Sequence, residues 1–298
     1  MQHSVQLGTQ DYRESICECL YELREQEQLP LQVVELRQGD RWLIQCMFED
    51  PSSEATENED IVQRIHRYYL ANALADTILH HWEKQHVQQI IQKKDPLSEG
   101  NWQEVSAKAL EYLNNGLGQV RGYSVNRKTS LVTQILCCLD QSSIFDIEGF
   151  LCFRAQEYKS QVNKAVEYAL DEYVVDKEYM EFILLLKHFV DSQKPQLECL
   201  HVGMTPQGKF HLYNNDGVEV THQFLEDYQL DNVHELGYED LLVSALISVA
   251  PRQITLHIGY EGFKDTLKTI RSVFGDRVHD CQGCPLCEKI LTNERLLL

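Results

Sequence analysis

The sequence predicts an α+β fold that is predominantly helical. A small N-terminal βαββ unit is expected first, then a middle region built on a long helix, then a C-terminal α/β unit ending in a cysteine knuckle. Three observations carry this reading. Between Glu148 and Ser192 apolar residues recur at helical spacing: Leu151, Ala155, Tyr158, Val162, Ala165, Ala169 and Tyr173, then Phe182, Ile183, Leu186, Phe189 and Val190. Short apolar runs bounded by turn residues lie before residue 50 and after Pro195. Residues 279–287 read HDCQGCPLC, three cysteines with glycine and proline between them.

Taken in order, Val5–Leu7 reads as a strand and Asp11 to Glu27 as an amphipathic helix carrying Ile16, Leu20 and Leu23. Leu31–Leu36 and Trp42–Phe48 read as strands joined across Gly39–Asp40, a hairpin signal. Residues 1–50 form the first expected domain. Glu49 to Asp60 holds six acidic residues, no basic ones, a proline and two serines, and reads as a solvated linker over 51–60. The helical domain is expected over 61–194. Its first helix, capped by Asn58, should run unbroken to Lys94, and a second should start near Asn101. Thr129 to Asp140 should form a third, with Cys137 and Cys138 in the core. The helix from Glu148 can be capped by Asp146. Continuous, it would run about 65 Å, so a bend or division near Val175–Asp176 is expected. From 195 to 298 the pattern becomes α/β. Leu197–Met204, Lys209–Tyr213 and Val218–Val220 read as strands, with Asn214–Gly217 as a hairpin turn. Tyr238–Val249 reads as a helix, Gln253–Ile258 as a buried strand, Gly262–Phe274 as a helix, and a last short strand opens at Arg277–Val278.

Composition excludes several classes. With 298 residues, 43% hydrophobic and 24% charged, the chain can bury a sizeable core. A net charge of −19 argues against nucleic-acid binding and against an anionic membrane surface. The N-terminal residues lack the pattern of a signal peptide, and no apolar run approaches the ~20 residues that span a bilayer. Ten cysteines without an export signal point to free thiols in a reducing, cytoplasmic setting.

Several apparent motifs carry no chemistry. His66, His80, His81 and His86 share a helix but form no HExxH pattern and read as surface residues. The long helix is dense in carboxylates without the ExxH of a di-iron bundle. Gly259–Gly262 lacks the lysine of a phosphate loop. The loop 118–128, with Arg121, Tyr123, Arg127 and Lys128, is the one basic–aromatic cluster and could dock an acidic segment.

Cys281, Cys284 and Cys287 have the spacing of a metal knuckle, in which tight turns let neighbouring thiolates converge on one ion. A closed zinc site needs four ligands. His279 is the near candidate for the fourth, and Cys199 or His201 on the first C-terminal strand are the distant ones. Zinc is the first choice of cofactor, an iron–sulfur cluster the second, and a dithiol redox pair a third use of the same thiols.

The run GFLCFRAQEY, Gly149 to Tyr158, leads into an acidic–apolar helix and a Lys–Pro stop. Through the pattern Phe150, Phe153, Arg154, Tyr158 the chain resembles the YtxC-like family, linked to sporulation in spore-forming bacteria. The resemblance implies a cytoplasmic protein connected with endospore formation and supplies no catalytic residues. In the chain itself, Arg154 lies one turn from Phe150 and from Tyr158, an arrangement suited to cation–π stacking or to clamping a carboxylate. The expected function is therefore non-enzymatic, by binding a protein partner through Phe150, Phe153, Arg154 and Tyr158. The alternative is a metal- or thiol-dependent enzyme using the C-terminal unit. No nucleophile elbow or phosphate loop supports that second reading.

Overall fold

The computed structural model describes residues 3–48, 59–94, 99–115, 123–205, 209–225, 238–258 and 263–288. Residues 49–58 with the expected linker and Asn58, Arg121, and residues 206–208 and 259–262 lie outside the described residues. The fold is α+β and predominantly helical. Its contacts divide it into two units, Met1–Val174 and Val175–Leu298.

In the first unit β1 (His3–Thr9) is followed by α1 (Arg13–Glu27), β2 (Leu31–Gln38) and β3 (Arg41–Phe48). Strand β1 lies antiparallel to β3, which pairs with β2 as the expected hairpin. A short strand from much later in the chain, β4 (Ile144–Asp146), adds in parallel on the other side of β1, giving the order β2-β3-β1-β4. Alternation along the strands turns Val5, Leu7, Ile44, Cys46 and Phe48 inward, where α1 meets them with Ile16, Cys17 and Leu20.

Helices α2 (Glu59–Thr77) and α3 (Glu83–Lys94) are separated by a π turn, Ile78–Trp82, where the sequence predicts one uninterrupted helix. Helices α4 (Glu99–Asn115), α5 (Tyr123–Gln141), α6 (Ile147–Phe153) and α7 (Gln156–Ser192) follow. The core they share with the sheet includes Leu70, Leu74, Ile91, Leu113, Leu131 and Ile135, and from α7 Val162, Val166 and Ala169. Cys137 is exposed, whereas Cys138 is half-buried and packs against the core, so only one of the expected pair reaches it. Of the basic cluster, the described residues from Tyr123 onward are helical. Arg127 and Lys128 lie in α5, Arg127 buried against Glu83 and Lys128 paired with Asp76 at 2.7 Å. Two of the four helical histidines are half-buried and stacked: His66 on Phe48, with ring centroids 3.9 Å apart, and His86 on Trp82 at 4.4 Å.

The long helix is divided, though not where its length suggested. It runs through Val175–Asp176 and breaks at Arg154–Ala155. There the Phe150 carbonyl accepts from both Arg154 (2.8 Å) and Ala155 (3.0 Å), which closes α6, and Ala155 then starts α7 by accepting from Lys159. The kink lets Phe150, Ala155 and Tyr158 all face the core.

Asp146 caps α6 as predicted. Its Oδ1 accepts from the Gly149 amide at 2.7 Å, and its Oδ2 pairs with Arg41 at 2.5 Å. A side-chain carbon at Gly149 would sit 2.9 Å from the capping oxygen, so the Asp146 carboxylate would have to shift to admit one. Asp146→Ala is expected to cost about 1 kcal/mol, and up to about 2, with the urea midpoint falling and the m-value unchanged.

The second unit is built on β5 (Cys199–Met204), β6 (Phe210–Tyr213), α8 (Thr221–Leu225), α9 (Tyr238–Val249), β7 (Gln253–Ile258), α10 (Lys264–Phe274) and β8 (Val278–Asp280). The sheet order is β6-β5-β7-β8, with β6 antiparallel to β5 and the other pairs parallel. The expected third strand at Val218–Val220 is reduced to one bridge, Tyr213 to Glu219. The turn before it is as predicted: Asn214 Oδ1 accepts from Asp216 and Val218, and Gly217 has positive φ.

One face of this sheet is apolar. Leu200, Val202, Leu212, Ile254 and Leu256 pack with residues of α9, α10 and the end of α7, including Leu246, Ile270, Ile183 and Val190. The alternate residues fall on the opposite face. They include Cys199 and His201 on β5, His211 on β6, Thr255 and His257 on β7, and His279 on β8. Chemistry-bearing side chains are thus gathered on the face away from the apolar core.

Candidate metal centre

The knuckle begins where β8 ends. The Cys281 amide donates to the Leu256 carbonyl at 2.9 Å, extending the β7–β8 ladder by one rung and bringing Cys281 alongside His257. Gly283, at φ 117°, turns the chain back, and its amide donates to Cys281 Sγ at 3.4 Å. Residues 285–288 form a helical turn in which the Cys284 carbonyl accepts from the Cys287 amide at 2.9 Å. At the base, Arg271 grips the Asp280 carboxylate at 2.8 and 3.1 Å.

These turns bring four ligand atoms together: one imidazole nitrogen of His257 and the sulfurs of Cys281, Cys284 and Cys287, all within 4.8 Å of one another. The sulfur of Cys287 lies 3.7 Å from Cys281 and 3.8 Å from Cys284. His257 Nδ1 lies 3.6 Å from the Cys284 sulfur and 3.2 Å from that of Cys287. A tetrahedral ion with metal–sulfur bonds of ~2.3 Å and a metal–nitrogen bond of ~2.0 Å has S···S edges of ~3.8 Å and S···N edges of ~3.5 Å. Three of the four separations match those edges, and the last is a few tenths of an ångström short. The other two of the six edges, from Cys281 to Cys284 and to His257, lie within 4.8 Å, so the four donors are close enough together to hold a metal ion.

The electrostatics favour the ligating forms at two positions. Burial opposes ionisation of Cys284, but the Cys287 amide, the Cys281 thiol, the Leu286 amide and the Cys287 thiol outweigh it and hold the Cys284 pKa below the ordinary thiol value. Burial and the nearby thiols push Cys287 up to about 11, so a metal cation there would have to displace its proton. Burial lowers His257, with a contribution from His201, and lowers His201 itself, which keeps both imidazoles neutral.

The residues the sequence singled out separate in space. Cys281, Cys284 and Cys287 converge. His279 pairs with Thr255 two residues before Cys281 and is exposed, outside the group of four. Cys199 is also outside that group, its sulfur 3.7 Å from His201 Nε2. The fourth converging group is His257, which is only 2% exposed. Its signal in the sequence is a histidine inside the buried strand QITLHI, whose neighbour strand leads directly into the cysteines. In the first unit Phe150 and Tyr158 are core residues, 4% exposed each, whereas Phe153 is 78% exposed and Arg154 lies at the surface.

A second polar cluster lies deep in the first unit. Arg127 donates to Glu83 Oε2 at 2.9 Å and to Asn114 Oδ1 at 3.0 Å, and the Tyr158 hydroxyl donates to the same Glu83 oxygen. Burial raises the Glu83 carboxyl above its usual range, against the opposing influence of Arg127 and Tyr158. Burial and the adjacent carboxylate also drive the Tyr158 hydroxyl well above the usual phenol value.

Fold and site together define a mainly helical α+β protein whose C-terminal sheet carries a Cys3His cluster able to hold a metal ion. The family model described as the YtxC-like family matches residues 68–279, and the chain belongs to that family. The matched span includes His201 and His257. The chain is also similar to the uncharacterized protein YtxC of Bacillus subtilis (strain 168), 27% identical over 161 residues. That match covers 52% of this chain and 54% of the relative, so the chain spans about half the length of the curated relative it matches. No solved structure matches it. Among the described residues no helix is long and apolar enough to cross a membrane.

Proposed function

We propose that the Cys3His cluster holds a structural zinc ion, and that the protein is a non-enzymatic cytoplasmic factor of endospore formation that works by binding a protein partner. The observation that carries the zinc reading is a set of four protein donor atoms, three thiols and an imidazole, all within 4.8 Å of one another. Structural zinc is held in this way, whereas catalytic zinc keeps one position for water or substrate. The histidine in the set favours zinc over an iron–sulfur cluster, which takes four cysteines in most folds. The link to sporulation rests on the family resemblance. The partner reading is supported by Phe153, a large aromatic held out of the core beside Arg154.

Elemental analysis of protein purified without an affinity tag is expected to return about one zinc per chain, and less than a tenth of that in Cys287→Ser. A brown protein containing iron and inorganic sulfide would overturn the zinc assignment in favour of electron transfer. Metal-free protein whose three knuckle thiols all react freely with a thiol reagent would overturn the metal site altogether. For the partner reading, Phe153→Ala is expected to abolish capture of a sporulation-stage protein that the parent chain retains. Equal capture by both would remove Phe153 from the binding surface.

A further inference from the structure

We infer that the metal centre extends into strand β5 through His201, a positioning residue that fixes which nitrogen of His257 faces the metal. The inference rests on reading His257, Cys281, Cys284 and Cys287 as a metal site. His257 turns Nδ1 toward the sulfurs of Cys287 and Cys284, and its Nε2 lies 3.0 Å from Nδ1 of His201. A nitrogen that ligates a metal carries no proton, so neutral His257 must hold its proton on Nε2 and donate it to His201 Nδ1. That makes His201 Nδ1 an acceptor and leaves the His201 proton on Nε2. This second nitrogen faces Cys199 Sγ at 3.7 Å, and that sulfur lies 3.8 Å from Thr255 Oγ1.

The run His257, His201, Cys199 therefore has one proton direction compatible with a metal on Nδ1, and each imidazole N–H along it meets an acceptor. The backbone register makes the arrangement possible. His201 pairs with Thr255, two residues before His257 on the same face of neighbouring parallel strands, so the rings meet side by side, their centroids 5.2 Å apart. His201 thus does for His257 what an outer-shell carboxylate or carbonyl does at many zinc sites: it holds the ring's orientation and its tautomer. Cys199 is the outer end of this chain and not a ligand.

Two substitutions and one spectrum test this. His201→Phe keeps an aromatic ring but removes the acceptor, whereas His201→Asn can place an amide oxygen where Nδ1 stands. In competition with a chromophoric chelator, His201→Phe is expected to bind zinc 10–100-fold more weakly than the parent, and His201→Asn to recover most of that loss. In the zinc-loaded parent protein, the ring nitrogens of His201 in a 15N spectrum are expected to show a proton on Nε2 and none on Nδ1. Zinc binding by His201→Phe as tight as the parent's, or a proton on His201 Nδ1, would overturn the positioning role while leaving the metal site intact. A parent protein that binds neither zinc nor cobalt would overturn the metal reading itself. The tautomer measurement needs no substitution, so it decides the matter even if a variant folds poorly.

Discussion

Cys284→Ser, or removal of metal by a strong chelator, is expected to lower the thermal midpoint of the second unit by on the order of 10 °C at saturating zinc. The reason is mass action: a ligand that binds only the folded form adds about 4 kcal/mol when present at about a thousand times its dissociation constant. For a unit of this size each kcal/mol moves the midpoint by a few degrees. The effect should be local at first. His257 lies on β7 and the three cysteines follow β8, so the ion would tie the sheet to a segment whose sulfurs are only partly buried. Differential scanning calorimetry with and without chelator, followed by hydrogen exchange across 278–288, would report both the shift and its location. A melting profile indifferent to chelator would falsify the structural role.

Arg127→Met is expected to cost 3–5 kcal/mol, because removing one partner of a buried ion pair leaves the other charge uncompensated. The pair is deeply buried, with Glu83 2% exposed and Arg127 6%. The loss should also acquire a pH dependence whose sign follows from linkage. Arg127 opposes the burial that raises Glu83, so without it the folded-state pKa of Glu83 climbs further above the unfolded value of about 4.3. A raised carboxyl contributes stability that is fully present below the unfolded pKa and lost as pH rises through the folded one. The variant should therefore lie closest to the parent near pH 4 and fall away toward neutrality. Urea midpoints at several pH values would measure this. Adding Glu83→Leu to Arg127→Met should recover much of the loss, since a well-packed apolar pair removes the buried charge. A single variant whose deficit stays constant with pH would contradict the account.

Much of the architecture could be read from periodicity. The alternation in β1 and β3, the cap at Asp146 and the helical stripe from Val162 to Ala169 are local signals, and local physics decides them. The β4 addition could not be read this way. Ile144–Asp146 has too few residues to show a period, and it becomes a strand only because β1 offers a free edge far back in the chain. The candidate metal site divides along the same line. Three ligands stand close together in sequence with turn residues between them, so their rhythm is visible. His257 lies on a strand that reads as buried core, and only the parallel pairing of β7 with β8 brings it beside Cys281. His279 was the nearer candidate by residue count, yet strand pleating and register decide proximity, and they set it two residues before the knuckle. In the sequence Arg127 reads as part of a basic–aromatic loop, because a charge run says nothing about a carboxylate waiting on another helix.

The π turn at Ile78–Trp82 has a consequence for how this helix tolerates insertion and deletion. Such a turn is what one surplus residue leaves in an otherwise α-helical segment, and here the Glu83 amide reaches back five residues to the Ile78 carbonyl. Winding the same residues as regular α-helix, without the wider turn, would swing everything downstream by about 100°. Glu83 would then leave the guanidinium of Arg127 and the hydroxyl of Tyr158, and Trp82 would leave its neighbour ring. The wider turn absorbs that rotation, so it acts as an indexing device that keeps the downstream side chains facing inward, and a chain shortened by one residue within the turn should regain regular winding with those faces unchanged.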